Sequence, residues 1–420
     1  MAGGVVVVVA ASIWVVFVVA VMVVYAVRHW RVTLVRLFGS QRAYYQDLLD
    51  SEVPRVSVLI PMHNEERVIA QVLDAILASD YPRSKLEIIP IDDHSEDATP
   101  TILESYHERF PVIKPLVRRN SARGKPAALN DAVFAASHDI VLVFDADYVP
   151  PRDTIRQLAM AFSDPEVGAV MGRVVPSNTV GSTLARLLDL ERTGGYQVDQ
   201  QARYDLDLIP QYGGTVGGFR RSAALSWGGF DPAVLAEDTD MTMRLYVRGW
   251  RVAYANGVEC YEEVPQTWDA RFKQLRRWAR GHTQTFIKDL LPVVRSPYLS
   301  TQEKCAAVLL LGIYLVPPLL LSGMAANLWL FLNGAAPVGP SLLLSFAVVL
   351  YGAFGNFAPF FQIGAAGVLD GMRHRLRLMP LLFMLFTYNT FAVSAGVFDA
   401  AVDTIRNRTP SWDKTARFKD

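Results

Sequence analysis

Four groups of residues in this 420-residue chain carry side chains that could do chemistry together: Asp92-Asp93, Asp145-Ala146-Asp147, Glu237-Asp238, and Gln274 with Arg277 and Trp278. Asp145 and Asp147 stand at i and i+2 after the apolar run Ile140–Phe144, so on a strand edge both carboxylates can turn to one side. A hard cation such as Mg2+ or Mn2+ takes one or two carboxylates and completes its shell with phosphate oxygens. The alternative is a turn before Tyr148-Val149-Pro150-Pro151, with Asp145 as its cap. Gly124-Lys125 opens a predicted helix, and a lysine beside free backbone N–H groups suits a diphosphate. Glu237 and Asp238 open another, where acids also complement the helix dipole. On a helix, Gln274, Arg277 and Trp278 fall at i, i+3 and i+4 and share one face. An amphipathic helix on a membrane, with Trp at headgroup level, gives the same pattern.

The elements that must position these groups alternate. Strands are predicted over 55–61, 86–93, 114–118 and 139–147, with helices over 66–79, 98–108 and 125–136. Such alternation implies a mostly parallel sheet buried on both faces. Ligands then bind beyond the carboxyl ends of the strands. The residues there make Pro61, Asn64, Glu65, Asp92, Asp93, Lys125 and Asp145 candidates for a nucleotide, and Asp145 and Asp147 candidates for a metal. No G-x-x-x-x-G-K-[ST] and no G-x-G-x-x-G after the first strand is present, which excludes a phosphate-loop NTPase and disfavours a nicotinamide enzyme. The run Gly213–Phe219, GGTVGGF, reads as a tight loop beneath a substrate.

Acidic and basic residues balance at 41 each, which argues against a nucleic-acid partner. The two cysteines cannot form a disulfide framework, so a reducing location is the easier reading. The apolar residues concentrate at the ends. Gly4–Val27 has no charged residue and, at about 1.5 Å per residue, is long enough for a ~30 Å hydrocarbon core. Ala306–Leu332, Leu342–Leu369 and Met379–Val402 follow late in the chain, and Pro317-Pro318 is expected to kink the first of them. The basic segments RHWRVTLVR and DGMRHRLRL place residues 28 to about 304 in the cytoplasm and make 306–369 a transmembrane hairpin. Met379–Val402 holds Pro380, Asn389 and Asp399 and precedes a basic tail. It reads as an interfacial or re-entrant helix, with a plain fourth span as the alternative.

Taken in order, Asp92-Asp93, Asp145-x-Asp147, Glu237-Asp238 and Gln274-x-x-Arg277-Trp278 resemble the motifs of membrane-embedded family 2 glycosyltransferases, such as cellulose, hyaluronan and poly-N-acetylglucosamine synthases. The resemblance covers about residues 55–290. It implies a Rossmann-like α/β domain of GT-A type in the cytoplasm, with transmembrane and interfacial helices around it. It further implies inverting transfer from a nucleotide sugar, with a uridine nucleotide as the family default. By the same resemblance, Asp92 and Asp93 hold the nucleoside, Lys125 lies near the diphosphate, and Asp145 and Asp147 bind Mg2+ or Mn2+. Asp238, beside Glu237, is the general base, and Gln274, Arg277 and Trp278 hold the acceptor end and the leaving diphosphate. Ala236 stands where the family usually has Thr, and His94 where it often has Gly. Trp412-x-x-Thr415-x-Arg417 looks like the gating-loop motif of cellulose synthase-like enzymes.

The expected organisation is an anchor over 1–30, a catalytic domain over 50–290, a membrane hairpin and interfacial helix over 305–405, and a cytoplasmic tail over 406–420. The expected function is elongation of a β-linked polysaccharide at the membrane, with coupled translocation as an option. Its partners are then a nucleotide sugar, a glycan or lipid-linked acceptor, and membrane lipids. Transfer of one sugar to a lipid or short glycan is the alternative.

Overall fold

The computed structural model describes residues 2–45, 52–119, 122–334, 357–406 and 408. The strands are β1 (Val56–Met62), β2 (Leu86–Asp93), β3 (Leu116–Arg118), β4 (Ile140–Val143), β5 (Val167–Pro176), β6 (Gly217–Arg220) and β7 (Arg251–Glu262). They form one sheet in the order β3-β2-β1-β4-β6-β5-β7. The first four run parallel, with Val58 of β1 opposite Ile88 on one side and Leu142 on the other. β6 runs antiparallel to both β4 and β5, and β7 returns parallel to β5.

The early helices are α1 (Ala2–Phe38), α2 (Ile69–Leu77), α3 (Thr99–Arg109), α4 (Lys125–Ala135), α5 (Thr154–Met160), α6 (Thr183–Thr193), α7 (Gln201–Asp205) and α8 (Arg221–Leu225). Those that follow are α9 (Glu237–Tyr246), α10 (Trp268–Arg295), α11 (Thr301–Leu311), α12 (Val316–Leu332), α13 (Ala358–Leu369) and α14 (Met379–Arg406). A π-helical stretch, Gly194–Gln200, joins α6 to α7.

The central strands are apolar on both faces because both faces are covered. Strand alternation sorts β1 between two cores. Val58 and Ile60 pack with Val72, Leu73 and Ile76 of α2. Leu59 packs on the other side with Leu129 of α4 and Met241 of α9. The predicted elements of this half agree with those observed to within a few residues.

The glycine run is different. Residues 213–215 are loop, but Gly217–Phe219 belong to β6 and are not part of a loop beneath a substrate. Glycine is unusual inside a strand, and a close backbone approach accounts for it here. A Cβ on Gly217 would lie 2.3 Å from the Val170 carbonyl oxygen, and one on Gly218 would lie 2.3 Å from that of Val141.

Among the described residues, three helical segments are long and apolar enough to cross a membrane: Gly4–Phe38, Ile313–Leu332 and Arg373–Arg406. The first runs on through its basic end, where Arg28 meets Asp199 at 2.6 Å and Arg36 Nε donates to the Gln197 carbonyl at 2.8 Å. The expected single kinked helix over 306–332 is two helices. α11 ends at Leu311, and α12 restarts with its prolines in the first turn, where a missing N–H costs no helical bond. Of the stretch 342–369, the segment 342–356 lies outside the described residues. α14 lies along α10. A Cβ on Gly396 would meet the Arg276 carbonyl at 2.3 Å, and Asp399 and Asp403 pair with Arg276 and Arg280, each at 2.5 Å.

Candidate active site

At the carboxyl ends of β1 and β2 the chain turns sharply. Asn64 and His94 take left-handed conformations, φ 55° and 63°. The two turns are tied together: the Asn64 N–H donates to Ser95 Oγ at 2.9 Å, and Asn64 Oδ1 accepts from the Glu96 N–H at 2.8 Å. The Glu65 N–H donates to Thr99 Oγ1 at 2.9 Å, and Pro61 lies within β1 beside Ile91. Asp92 is fully buried. It accepts from the Ser95 N–H at 3.0 Å and pairs with Arg119 at 2.9 Å. Asp93 is engaged on both oxygens, by Arg118 and His94 on Oδ1 and by the Gly124 N–H at 2.7 Å on Oδ2. Its carboxylate therefore holds the loop that starts α4, and Gly124 adopts φ 120° there.

Lys125, at the head of α4, crosses to the other side of the cleft. Its Nζ lies 2.8 Å from Asp145 Oδ1, 3.2 Å from the Gly214 carbonyl oxygen and 3.9 Å from Glu237 Oε1. Burial works against the lysine charge, but Asp145 and Glu237 outweigh it, and its pKa is raised. Glu237 also shifts upward, which for a carboxyl favours the neutral form. Burial pushes its pKa up, Lys125 opposes, and the Asp238 charge adds, bringing it to about 7.

Asp145 and Asp147 both lie past the end of β4, in a turn closed by the Tyr148 N–H donating to the Asp145 carbonyl at 3.1 Å. The Asp145 side chain is 29% exposed, whereas Asp147 as a residue is 6% exposed. Asp145 and Asp147 could hold a hard divalent cation, since both offer only carboxylate oxygens. Among the described residues no cluster of three or more His, Cys, Asp or Glu forms a closed metal cage. Diphosphate and water oxygens would have to complete the shell, and the donor set fits that arrangement.

The third group comes from α9 and α10. Glu237 and Asp238 form the first turn of α9, and Asp238 Oδ1 accepts from the Thr239 N–H at 2.7 Å. Gly281 lets α10 sit directly on this helix start, because a Cβ there would lie 2.8 Å from the Ala236 nitrogen. Gly214, at φ 75°, passes over Asp238, where a Cβ would lie 3.3 Å from the aspartate Cβ. Beside it Val216 holds φ 46°, strained backbone for a β-branched residue.

Gln274 is buried and accepts from Arg271 Nη1 at 3.0 Å, while Arg277 and Trp278 are half-buried. The Trp278 ring lies 5.2 Å from the Arg192 guanidinium and 5.8 Å from that of Arg271. Arg271 grips Glu191 with two bonds, 2.6 and 2.9 Å, and Arg192 pairs with Glu262, which also accepts from Tyr148 Oη.

The structure thus brings Lys125, Asp145, Glu237 and Asp238 together and seats α10 against the last two. Trp412, Thr415 and Arg417 lie outside the described residues. Sequence reasoning missed Arg192, Glu191, Arg271, Thr239 and His282. Arg271 stands one turn before Gln274, a spacing that was available. The α6 residues had no local signal, because their partners are about 70 to 80 positions away or more.

Comparison with known proteins bears on this arrangement. The chain is 35% identical over 242 residues to the probable glycosyltransferase YdaM of Bacillus subtilis, covering 57% of this chain and 58% of that one. It is 30% identical over 278 residues to a beta-monoglucosyldiacylglycerol synthase of Synechocystis, covering 66% of this chain and 58% of that one. The chain thus spans about three fifths of the length of these relatives. Its fold is that of a mannosyltransferase from Pyrobaculum calidifontis solved with GDP-Man and Mn2+, with TM-score 0.60, 23% identity, and coverage of 88% of this chain and 98% of that one. The fold is accordingly of GT-A type, with a mostly parallel sheet and apolar helices at both ends. The family model described as glycosyltransferase like family 2 matches residues 54–281, more than half of the sequence, and the chain belongs to that family.

Proposed function

We propose that this enzyme transfers a single sugar, with inversion, from a nucleotide sugar to the hydroxyl of a lipid acceptor at the membrane face. One observation carries the reading. Asp238 at the start of α9 is linked through Thr239 and His282 to Tyr314, which belongs to the apolar segment Ile313–Leu332. The transfer chemistry and the candidate membrane helix are therefore only a few side chains apart. The relatives named as beta-monoglucosyldiacylglycerol synthases support a lipid acceptor.

In this reading residues 50–290 are a cytoplasmic catalytic domain, carried by an integral membrane anchor (1–30) and the helices of 305–405, with 406–420 as the tail. Residues at the ends of β1 and β2, Pro61, Asn64, Glu65, Asp92 and Asp93, shape the nucleoside site. Asp145 and Asp147 would hold Mg2+ or Mn2+, which would supply positive charge to offset the diphosphate. Lys125 exchanges its carboxylate partners for diphosphate oxygens, and Arg277 adds a second cation as charge develops on the leaving group. Asp238 takes the proton of the acceptor hydroxyl, and the oxygen attacks the anomeric carbon from the face opposite the diphosphate. The leaving group departs as a stabilised anion and needs no protonated acid, so one base suffices, unlike the two-carboxylate glycosidases.

Elongation of a β-linked polysaccharide is a second reading, favoured by Gln274, Arg277 and Trp278 on one helix. Against it, the Trp278 ring is already engaged by two guanidinium groups. The test is turnover of UDP- and GDP-sugars by the full chain in lipid nanodiscs with diacylglycerol and Mn2+ or Mg2+. A one-sugar glycolipid is expected. A polymer would establish the second reading, and no nucleotide release with any donor would sink both.

A further inference from the structure

Thr239 is fully buried in the first turn of α9, next to Asp238. Its hydroxyl has one proton and two lone pairs. Three groups meet it: Gln211 Nε2 at 2.6 Å, His282 Nδ1 at 3.3 Å and Asp238 Oδ1 at 3.4 Å. The Gln211 amide nitrogen can only donate, and an ionised Asp238 can only accept. The hydroxyl proton therefore goes to Asp238 or to His282, and the ring tautomer decides which. With Nδ1 bare, the imidazole competes with Asp238 for that proton. With Nδ1 protonated, it fills the second lone pair, and the proton and both lone pairs of the hydroxyl are used.

The ring is not free to swing away. It stacks on Tyr314 with centroids 4.3 Å apart and planes at 18°. Gly281, the preceding residue, fixes the height of α10 on the α9 N-terminus. Burial lowers the His282 pKa, with the Asp238 charge opposing, so the ring is neutral near pH 7 and carries a single proton to place.

We propose that His282 is a positioning residue for sugar transfer: donating from Nδ1, it fills the second lone pair of the Thr239 hydroxyl and leaves that hydroxyl's proton to Asp238 Oδ1. The Thr239 N–H already holds that same oxygen at 2.7 Å. With both donors on Oδ1, Oδ2 is the oxygen left to take the acceptor proton. This inference rests on Asp238 being the base.

The test compares His282→Phe, His282→Asn, Thr239→Val, the Phe/Val double variant and Asp238→Asn, in the full chain in lipid nanodiscs. His282→Phe keeps a ring to stack on Tyr314 but has no donor. It should lower kcat about tenfold, the scale of one lost hydrogen bond, with KM for the nucleotide sugar unchanged. His282→Asn places an amide N–H near the Nδ1 position and should recover most of that loss. Thr239→Val should resemble His282→Phe, and the double variant should be no worse than the worse single change, because both break one relay.

Wild-type kcat in His282→Phe with an inactive Asp238→Asn would overturn this inference and leave the base intact. An equal loss in His282→Asn and His282→Phe, or additive losses in the double variant, would reduce the histidine to packing and overturn it too. An active Asp238→Asn would remove the base, and the relay with it. If His282→Phe does not fold, Thr239→Val and His282→Asn carry the same comparison.

Discussion

Asp93 closes β2 and Asp145 stands two residues beyond β4, on either side of β1, and each meets a cation from the segment between them in sequence, Arg118 at the end of β3 and Lys125 at the start of α4. Asp93 is locked: Arg118, His94 and the Gly124 N–H occupy both its oxygens, and its side chain is 10% exposed. Both cations are shared, Arg118 with Asp131 and Lys125 with two further groups, but Asp145 is the more exposed carboxylate. Lys125 also reaches the Gly214 carbonyl and Glu237, and the Asp145 side chain is 29% exposed. A saturated buried carboxylate builds geometry, because removing it leaves a buried donor unsatisfied. A more exposed carboxylate whose cation has other partners nearby can release it to a ligand at small cost. The Asp93 side of the cleft is thus framework, and the Asp145 side, where the proposed transfer would occur, is exchangeable.

The largest effects should fall on the exchangeable side and separate binding from chemistry. Asp238→Asn should lower transfer by about 10^2–10^4-fold, the range of a general base, while nucleotide-sugar binding measured by calorimetry persists. Asp147→Ala should do the reverse and remove the gain in donor binding that Mn2+ gives. If donor binding by Asp147→Ala still responds to Mn2+, its carboxylate does not hold the metal, and the transfer side must be redrawn.

The framework half was legible in the sequence because its strands are short, continuous apolar runs that end in polar residues, a pattern that buried parallel strands produce and half-exposed strands or surface helices do not. Val56–Met62, Leu86–Asp93 and α4 fall close to where periodicity puts them. The other half was opaque for physical reasons. β6 is built from glycines, which carry no strand signal, and its identity depends on two neighbours pressing within van der Waals contact. The same holds for the site. Asp145, Lys125, Glu237 and Asp238 were visible as residue types at strand ends and helix starts. The salt bridge between Lys125 and Asp145, and the relay from Thr239 to His282 and Tyr314, depend on packing between distant segments that no local pattern encodes.

A smaller effect tests the contrast through stability. Asp93→Ala leaves Arg118 with Asp131 as its carboxylate and orphans the Gly124 N–H at the α4 loop, so it should cost about 1–3 kcal/mol, the range for a buried donor left unsatisfied. Asp145→Ala removes a more exposed partner of a lysine that retains Glu237 and Gly214, and should cost about 1 kcal/mol or less. Thermal unfolding of the two variants in one detergent would show it. Equal losses would erase the distinction between framework and exchangeable carboxylates.

The smallest effect concerns a third kind of carboxylate. Asp289 on α10 is 5% exposed and faces Asp240, which is itself buried and paired with Arg244 and Lys288, each at 2.8 Å. Lys288 also reaches Asp231 at 2.7 Å. Burial first, and then the Asp240 charge, push the Asp289 pKa from 3.8 to about 7 against Lys288 and Arg244. A folded-state pKa above the unfolded value means that the neutral form is the one folding favours. Its contribution is fully present below the unfolded pKa and is lost as pH rises through about 7. The wild type should therefore unfold at a lower temperature at pH 8 than at pH 5, so far as this group decides it. Asp289→Asn keeps the neutral shape at every pH and should narrow that gap by roughly a few degrees for a domain of this size. An unchanged gap would place the titrating proton on another group, and the junction of α9 with α10 would then join the permanently charged framework.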